Sequence, residues 1–521
     1  MSTKQKSLVL ITVDCLRADH CGFHGYARPT TPFLNALAEE SFVVPSVVVA
    51  GAPTYYSLPA ILAARMPLAL GRDVIGLAPG ESTLASALRE AGYATAAFSA
   101  ANPYISARFG YDRGFEKFED FLNFEAVPSY GAEQGNSSAK NSTDAASSTL
   151  STRTKGNRLL KQIAQGAGLG WLYDELYFQY CLRIASPAVD SMHALRRFPT
   201  AEAIVDHAVS WLVSAKAKPF FLWLHLMDPH SPYYPSEPAY RDLTGKGISA
   251  NRARYLNEFW NRSDLAPAQL KKKKDSIIEL YDAGIRSVDG QIARLVSRLK
   301  ESGVWEECTF ALTADHGEEF LEHGGRYHAP LKLPEEIAHV PLLIRVPGAM
   351  KTEVASKPFS LLHLAPTLLD ILGVPAPATF DGMSLWRDLQ QGTAWDVPAI
   401  SECIHECTNP LRHADRNGAR LLSVRDHRHK LSIRLEAGNV EELYDLQADP
   451  QETKPLPSGT QKEIRGKLLL AARAHMQKTS DGRRAGLRMK ARVRDLGIEL
   501  KTKTRERVPA IVSKSRSLQG A

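Results

Sequence analysis

With 521 residues, 44% of them hydrophobic and 23% charged, the chain has an ordinary globular make-up. It is long enough for one large catalytic domain with appended pieces, or for two to three domains. The net charge of +7 is unevenly spread: twelve basic and four acidic side chains lie between Asp481 and Ala521, which leaves the rest of the chain near −1. A near-neutral body gives no reason to expect a nucleic-acid partner, while the basic tail is expected to contact an acidic partner or a membrane surface. No apolar run approaches the ~18 residues of a membrane span. The start is polar through Lys6, and Leu8–Val13 is too short for a signal core, so no secretory leader is expected. The six cysteines are scattered; Cys403 and Cys407 are four apart, a spacing that could suit a metal, but no second such pair exists. Free buried thiols in a reducing, cytoplasmic compartment are the expectation.

In chain order, Leu8–Val13 reads as a buried strand that ends in Asp14. Thr31–Glu40 has helical spacing, and Ser82–Ala91 reads as a helix capped by Ser82 and closed by Gly92. Tyr93–Phe98 is the next strand. This strand–helix–strand alternation predicts a doubly wound α/β sheet. Gly131–Gly156, rich in Ser, Asn, Thr and Ala, reads as a loop or disordered insertion. Phe220–Met227 is a strand running into Asp228-Pro229-His230. Asp275–Leu299 is a long amphipathic helix whose stripe includes Ile278, Leu280, Tyr281, Ile285 and Val288; Lys271–Lys274 before it reads as a solvated charge run. Thr309–Thr313 is a strand ending at Asp315, Val340–Val346 is another, and Ala365–Leu372 is a helix stopped by Gly373 and Pro375. After about Trp395 the pattern shifts to shorter strands, Leu421–Arg425 and Lys430–Ile433, and a helix over 459–478.

Three strand ends therefore deliver polar residues: Asp14, the Asp228/His230 pair, and Asp315-His316. In open α/β sheets, ligands bind outside the carboxyl ends of the strands. Carboxylates and an imidazole converging there make a site for a divalent cation, which can polarise an anionic ester and lower the pKa of a nucleophile. Taken singly, each could equally be a helix cap or an ion-pair partner.

Five segments in order carry a resemblance. Leu8-Val9-Leu10-Ile11-Thr12-Val13-Asp14-Cys15 is similar to the opening metal-binding strand of the sulfatase family, within the alkaline phosphatase superfamily. Ala311-Leu312-Thr313-Ala314-Asp315-His316-Gly317-Glu318 resembles its second metal motif. Tyr281-Asp282-Ala283 with Val288-Asp289, His339-Val340-Pro341-Leu342-Leu343-Ile344-Arg345, and Glu442-Leu443-Tyr444-Asp445 through Lys454 resemble the helix before that motif, the strand after it, and the C-terminal signature. The resemblance implies a three-layer α/β/α sandwich with a large, mostly parallel central sheet and a smaller C-terminal α+β subdomain. It implies a catalytic domain over 1–394 with an insertion at about 131–156, a subdomain over 395–480, and a basic tail over 481–521. It implies a hydrolase of sulfuric or phosphoric esters with one divalent metal ion (Ca, Mn or Zn) on Asp14, Asp315 and His316. Its substrate would be an anionic ester carried by a glycan or a lipid head group.

The chain also departs from that family. Sulfatases usually place a second aspartate where Cys15 stands; zinc or manganese would accept such a neighbour more readily than calcium. Their nucleophile is a Cys or Ser converted to formylglycine in a Cys/Ser-x-Pro-x-Arg motif; here those places fall on Thr54, Tyr56 and Leu58, so formylglycine is not expected. Thr54 follows Pro53 and should open a helix, either as a mere cap or as a hydroxyl nucleophile, with Ser57 the other hydroxyl there. His230 resembles the histidine facing the leaving-group oxygen, a general acid. His328, with Lys332 as a nearby alternative, stands where relatives place a basic residue on the anion. Phe98-Ser99-Ala100-Ala101-Asn102 replaces a Gly-Lys-Trp-His stretch. Three readings compete: an esterase using Thr54 and His230, a weakly catalytic relative that binds an anionic glycan, and a two-metal phosphodiesterase or phosphoethanolamine-transferase-like enzyme using Asp228 and His230.

Overall fold

A computed structural model describes residues 6–122, 160–182, 189–214, 219–329, 333–435 and 440–479. The loop expected over 131–156, Lys332 and the basic tail lie outside the described residues. The centre is a seven-stranded sheet in the order Phe42–Val43, Leu342–Arg345, Cys308–Ala314, Ser7–Val13, Phe220–Leu226, Ala94–Ser99, Lys117–Glu119. All its pairings are parallel except the two made by Leu342–Arg345. Ser7–Val13 is flanked by parallel strands on both sides, which is why every one of its residues is buried and why it reads as a continuous apolar run.

Helices cover the sheet in two groups. Pro32–Ala38, Ala201–Ser214, Glu237–Thr244 and Ala250–Trp260 pack around the long helix Lys274–Glu301; Thr54–Ala63, Leu84–Glu90 and Leu364–Ile371 pack on one another. The expected α/β/α arrangement is thus present. Local details differ from the expectation. Thr83, not Ser82, caps its helix, because its hydroxyl accepts the Ser86 N–H at 3.0 Å. The run Val340–Val346 divides at Pro341, which has no N–H to donate: His339–Val340 pairs with Val47–Val48 in a small separate sheet, and Leu342–Arg345 joins the main one. In the long helix Ile277 rather than Ile278 faces the core.

Beyond Trp395 the chain forms a four-stranded antiparallel sheet, Ala399–Ile404, Arg420–Arg425, His429–Leu435 and Val440–Asp445. The helix Lys462–Lys478 packs on it through Leu468, Leu469, Ala472 and Met476, against Leu422, Val424, Leu431 and Leu443. Two buried acids tie this unit to segments that precede it in the chain. Glu402 accepts the Leu68 N–H at 2.8 Å and pairs with Arg420 and His475. Glu452 accepts the Glu335 N–H at 2.7 Å and pairs with Lys430 at 3.0 Å. Through Glu452 the C-terminal signature is a structural joint, while its Asp445 takes Arg428 on both oxygens at 3.0 Å within the unit.

Candidate active site

The carboxyl ends of four adjacent parallel strands form one edge of the central sheet, and their following residues meet there. Asp14 leaves Ser7–Val13, and Asp315-His316 leave Cys308–Ala314, in register through Val13 and Ala314. His225 lies within Phe220–Leu226, opposite Thr12, and Asn102 follows Ala94–Ser99. Asp14, Asp315 and His316 are fully buried.

Around Asp14 the contacts are close. Asn102 Nδ2 donates to its Oδ2 at 3.0 Å, and His225 Nε2 lies 3.3 Å from the same oxygen. His316 Nε2 lies 3.6 Å from Asp14 Oδ1 and 3.5 Å from Asp315 Oδ2. Burial pushes the Asp14 carboxyl up, but His230, His225 and His316 more than offset it and hold the group well below the usual carboxylate range. Asp315 goes the other way: burial and the Asp14 charge raise it, and His316, His225 and the Thr54 hydroxyl offset only part of that. Two carboxylates this close repel one another unless a cation or a shared proton lies between them.

The residues fit a metal on an observation of their own. Asp315 Oδ1 accepts the His316 N–H at 2.9 Å, while the buried Oδ2 has no hydrogen-bond partner. Ligand atoms of Asp14, Asp315 and His316 lie within 4.8 Å of one another, and so do those of Asp14, Cys15 and His230 and of Cys15, His316 and His328. An orphaned carboxylate oxygen inside such a set is what a bound cation satisfies.

Cys15 sits at φ 64, a left-handed backbone that side chains other than glycine seldom adopt. Tyr281 holds it there: its hydroxyl donates to the Cys15 carbonyl at 2.7 Å and accepts the Arg17 N–H at 3.0 Å. Asp282 gathers His20, Tyr26 and Arg28 at 2.6, 2.7 and 3.0 Å. Asp289 accepts the Phe33 and Leu34 N–H groups at 2.9 Å, and burial pushes its pKa to about 6. The Tyr281–Asp289 stretch thus clamps the loop after Asp14 from the long helix. Gly317 makes the opposite approach: a Cβ there would lie 2.0 Å from the Glu336 carbonyl, so only glycine lets the His316 loop close on that segment.

Thr54 is the first residue of the helix Thr54–Ala63; Pro53 is the cap residue, and no side-chain capping bond forms. The Thr54 hydroxyl lies 3.2 Å from His316 Nε2 and is buried, so it faces the carboxylate cluster and not its own helix end. Ser57 Oγ is buried with no partner, and Leu58, in place of the family's arginine, is fully buried. His230 Nδ1 lies 2.5 Å from the Ser231 carbonyl and must donate to it, which leaves Nε2 free to carry or take a proton. The His230 and His328 rings are 5.0 Å apart, and His328 lies 4.4 Å from the His316 ring. His328 Nδ1 is 3.3 Å from Cys15 Sγ and 3.5 Å from Glu318 Oε1.

Asp228 does not join them. One oxygen takes Arg196 at 2.8 Å and the other the Ala201 N–H at 2.8 Å, at the start of Ala201–Ser214. A second metal on Asp228 and His230 is therefore set aside, since the carboxylate is already spent on a buried arginine and a helix start. Cys403 and Cys407 are buried thiols outside any disulfide beside Tyr55 and Tyr56, and no third metal-type ligand joins them among the described residues. Asn102, His225 and Glu318 belong to the cluster without having been picked out from sequence.

Residues 6–374 match the family model "Sulfatase", and residues 326–475 match "N-sulphoglucosamine sulphohydrolase, C-terminal". Arylsulfatase K of Xenopus laevis is 27% identical over 274 residues, 48% of this chain and 50% of that protein. The chain spans about half the length of the first curated relatives it matches. In structure it resembles the phosphonate monoester hydrolase of Agrobacterium radiobacter (TM-score 0.61, 18% identity, 94% of this chain and 96% of that one). It also resembles a protein solved in complex with its substrate D-glucosamine-2-N,6-O-disulfate (TM-score 0.63, 17% identity, 91% and 98% covered). With well over half its length matched by the family model, and with the strand-end cluster in place, this chain belongs to the sulfatase family.

Proposed function

We propose that the chain is a metal-dependent ester hydrolase in which Thr54 attacks and His230 assists the leaving group. The observation that carries this is the Thr54 hydroxyl, buried and 3.2 Å from His316 Nε2, at the edge of the Asp14, Asp315 and His316 set. Those three residues would hold one divalent cation; bound there, it would supply charge neutralisation and a lowered hydroxyl pKa. The mixed carboxylate and imidazole donors, with the Cys15 thiol at their side, suit zinc or manganese better than calcium.

The chain's own residues then divide the work. The Thr54 hydroxyl releases its proton to solvent, its oxygen forms a bond to phosphorus or sulfur as the bond to the leaving oxygen breaks, and His230 gives its Nε2 proton to that leaving oxygen. His230, now neutral, takes a proton from the water that attacks the threonyl ester, the bond to the Thr54 oxygen breaks, and that oxygen regains a proton from solvent to restore the hydroxyl. His328 and Asn102 face the anion from the side where relatives carry lysine and histidine. A threonyl sulfate has no second hydroxyl through which to expel sulfate, whereas a threonyl phosphate is open to attack at phosphorus. The reading therefore favours phosphate mono- or diesters over sulfate esters, presented on an anionic glycan or lipid head group. Paired assays of the purified protein on aryl sulfate, phosphate monoester and phosphodiester, with metal analysis of the same sample, test it. Robust sulfate hydrolysis with negligible phosphate cleavage would falsify the nucleophile assignment.

A further inference from the structure

His323, Glu336 and Glu452 form a further cluster of metal-type ligands that shares no residue with the Asp14, Asp315 and His316 set; one ligand atom of each lies within 4.8 Å of the other two. They come from three segments. His323 stands at the tip of a hairpin whose strands are Glu319–Phe320 and Arg326–Tyr327. Glu336 lies in the short helix Glu335–Ala338, and Glu452 follows the last strand of the C-terminal sheet. Each is held before any ligand arrives. Glu319 Oε1 accepts the His323 and Gly325 N–H groups at 2.9 and 2.8 Å, and a Cβ on Gly325 would lie 2.6 Å from its other oxygen, so the tip closes tightly. Glu452 Oε2 accepts the Glu335 N–H at 2.7 Å. Glu336 and Glu452 are each 7% exposed, and His323 Nε2 meets Glu336 Oε2 at 3.0 Å.

Charge shows what the cluster lacks. Lys430 Nζ lies between Glu335 at 3.1 Å and Glu452 at 3.0 Å, and Arg425 meets Glu335 at 2.9 Å. Two fixed cations thus face three acids, Glu335, Glu336 and Glu452, and one positive charge is wanting. The cavity of about 390 Å³ that His323 and Glu452 line does not supply it, since its wall adds Glu406 and Glu442 against Arg434. Burial and the Glu335 charge accordingly push the Glu452 carboxyl up, and Lys430 offsets only part of that. The bond to Glu336, with the charges of Glu336, Glu452 and Glu319, pushes the His323 imidazole up against its burial.

We propose that a zinc-type divalent cation supplies the wanting charge, bound by His323 Nε2, Glu336 and Glu452. One imidazole and two carboxylates suit zinc better than calcium, and water from the cavity would complete the coordination. On binding, Nε2 gives its proton to solvent and its lone pair to the metal. Lys430 does not stand in the way: when Glu452 turns an oxygen to the metal, Nζ keeps Glu335 and the Leu333 carbonyl as acceptors. The ion would staple the hairpin that leads into His328 to the C-terminal unit. Its role is structural, whatever ester the cleft cleaves.

The test strips the full chain with a chelator, titrates it with zinc chloride and counts the ions retained after desalting. Wild type should hold about two equivalents, one in the cleft and one here. Asp315→Ala should keep the second and lose the first. His323→Gln retains a donor for Glu336 but removes the imidazole lone pair; it should keep the first and lose the second. Zinc should raise the melting temperature of Asp315→Ala and leave that of the double variant unchanged. Asp315→Ala that retains no zinc, or His323→Gln that retains as much as wild type, overturns the inference. A single equivalent that His323→Gln loses and Asp315→Ala keeps upholds it and removes the ion from the cleft instead.

Discussion

The ligand side of the cleft and its anion-facing side differ in how the backbone holds them. Asp14, Asp315 and His316 follow adjacent parallel strands in register, so their placement comes from the sheet itself. Residues 54–58 open a helix and 98–102 run from the end of the strand Ala94–Ser99 into a loop, and neither stretch carries a charged side chain. The lesson is that the carboxylates and imidazole proposed to hold a cation are fixed by the sheet, while the stretches proposed to meet the anion lack the charged side chains the family resemblance would place there. Six variants break or sharpen that division.

The largest effect belongs to the ligand side. Asp315→Ala removes the orphaned Oδ2 and one of two clustered carboxylates, the main source of affinity at such a site. Loss of bound metal by elemental analysis and loss of ester hydrolysis are expected together; a folded variant with unchanged metal content sinks the ligand assignment. Next comes Thr54→Ala, expected to lower turnover at least about a hundredfold with metal retained, while Thr54→Ser keeps part of the rate. Near-normal turnover in Thr54→Ala would move the attack to Ser57 or to a water.

Two variants should change stability and leave chemistry nearly alone. Asp228→Ala strands the buried Arg196, a loss of about 3–5 kcal/mol. Metal content should not change; a loss of metal in the folded variant would return Asp228 to the ligand set. Asp289→Asn tests a titration. Burial raises the folded pKa of Asp289 to about 6 from its ordinary value of 3.8. The folded state then binds more protons than the unfolded one across pH 4–6, so this group's contribution is present at the acid end and is lost as pH rises through 6. Two units correspond to about 3 kcal/mol at most. Denaturant unfolding of wild type and Asp289→Asn across that window should show the wild type losing stability relative to the variant; parallel profiles would rule out the raised pKa.

Much of this was legible in the sequence, for a physical reason: a strand buried on both faces must be apolar throughout, so the carboxylate that ends it stands out. Asp14, Asp315, His316 and the order of strands and helices were read that way. His225 was not, because inside Phe220–Leu226 a single histidine reads as one core residue, and only the pairing of Thr12 with His225 brings it to Asp14. Asn102 and Glu318 were hidden in a loop and in an acidic pair, where no periodicity points to a neighbour. Tyr281, Asp282 and Asp289 were recognised as a motif, but their work as a clamp on the loop after Asp14 depends on hydrogen bonds across more than 250 residues of chain.

The smallest expected effect is the removal of residues 481–521. Four observations bear on it. The described helix ends at Lys478, and the second family match ends at residue 475. Every described active-site residue lies between Asp14 and His328. The removed segment carries twelve basic and four acidic side chains. Its charge acts through long-range attraction, which salt screens over about 10 Å, and not through contacts with a reacting atom. A variant ending at residue 480 should therefore turn over a small soluble ester within about twofold of the full chain, since surface charge alters encounter more than bond breaking. A folded truncation that loses turnover on the small substrate would place the tail in the chemistry.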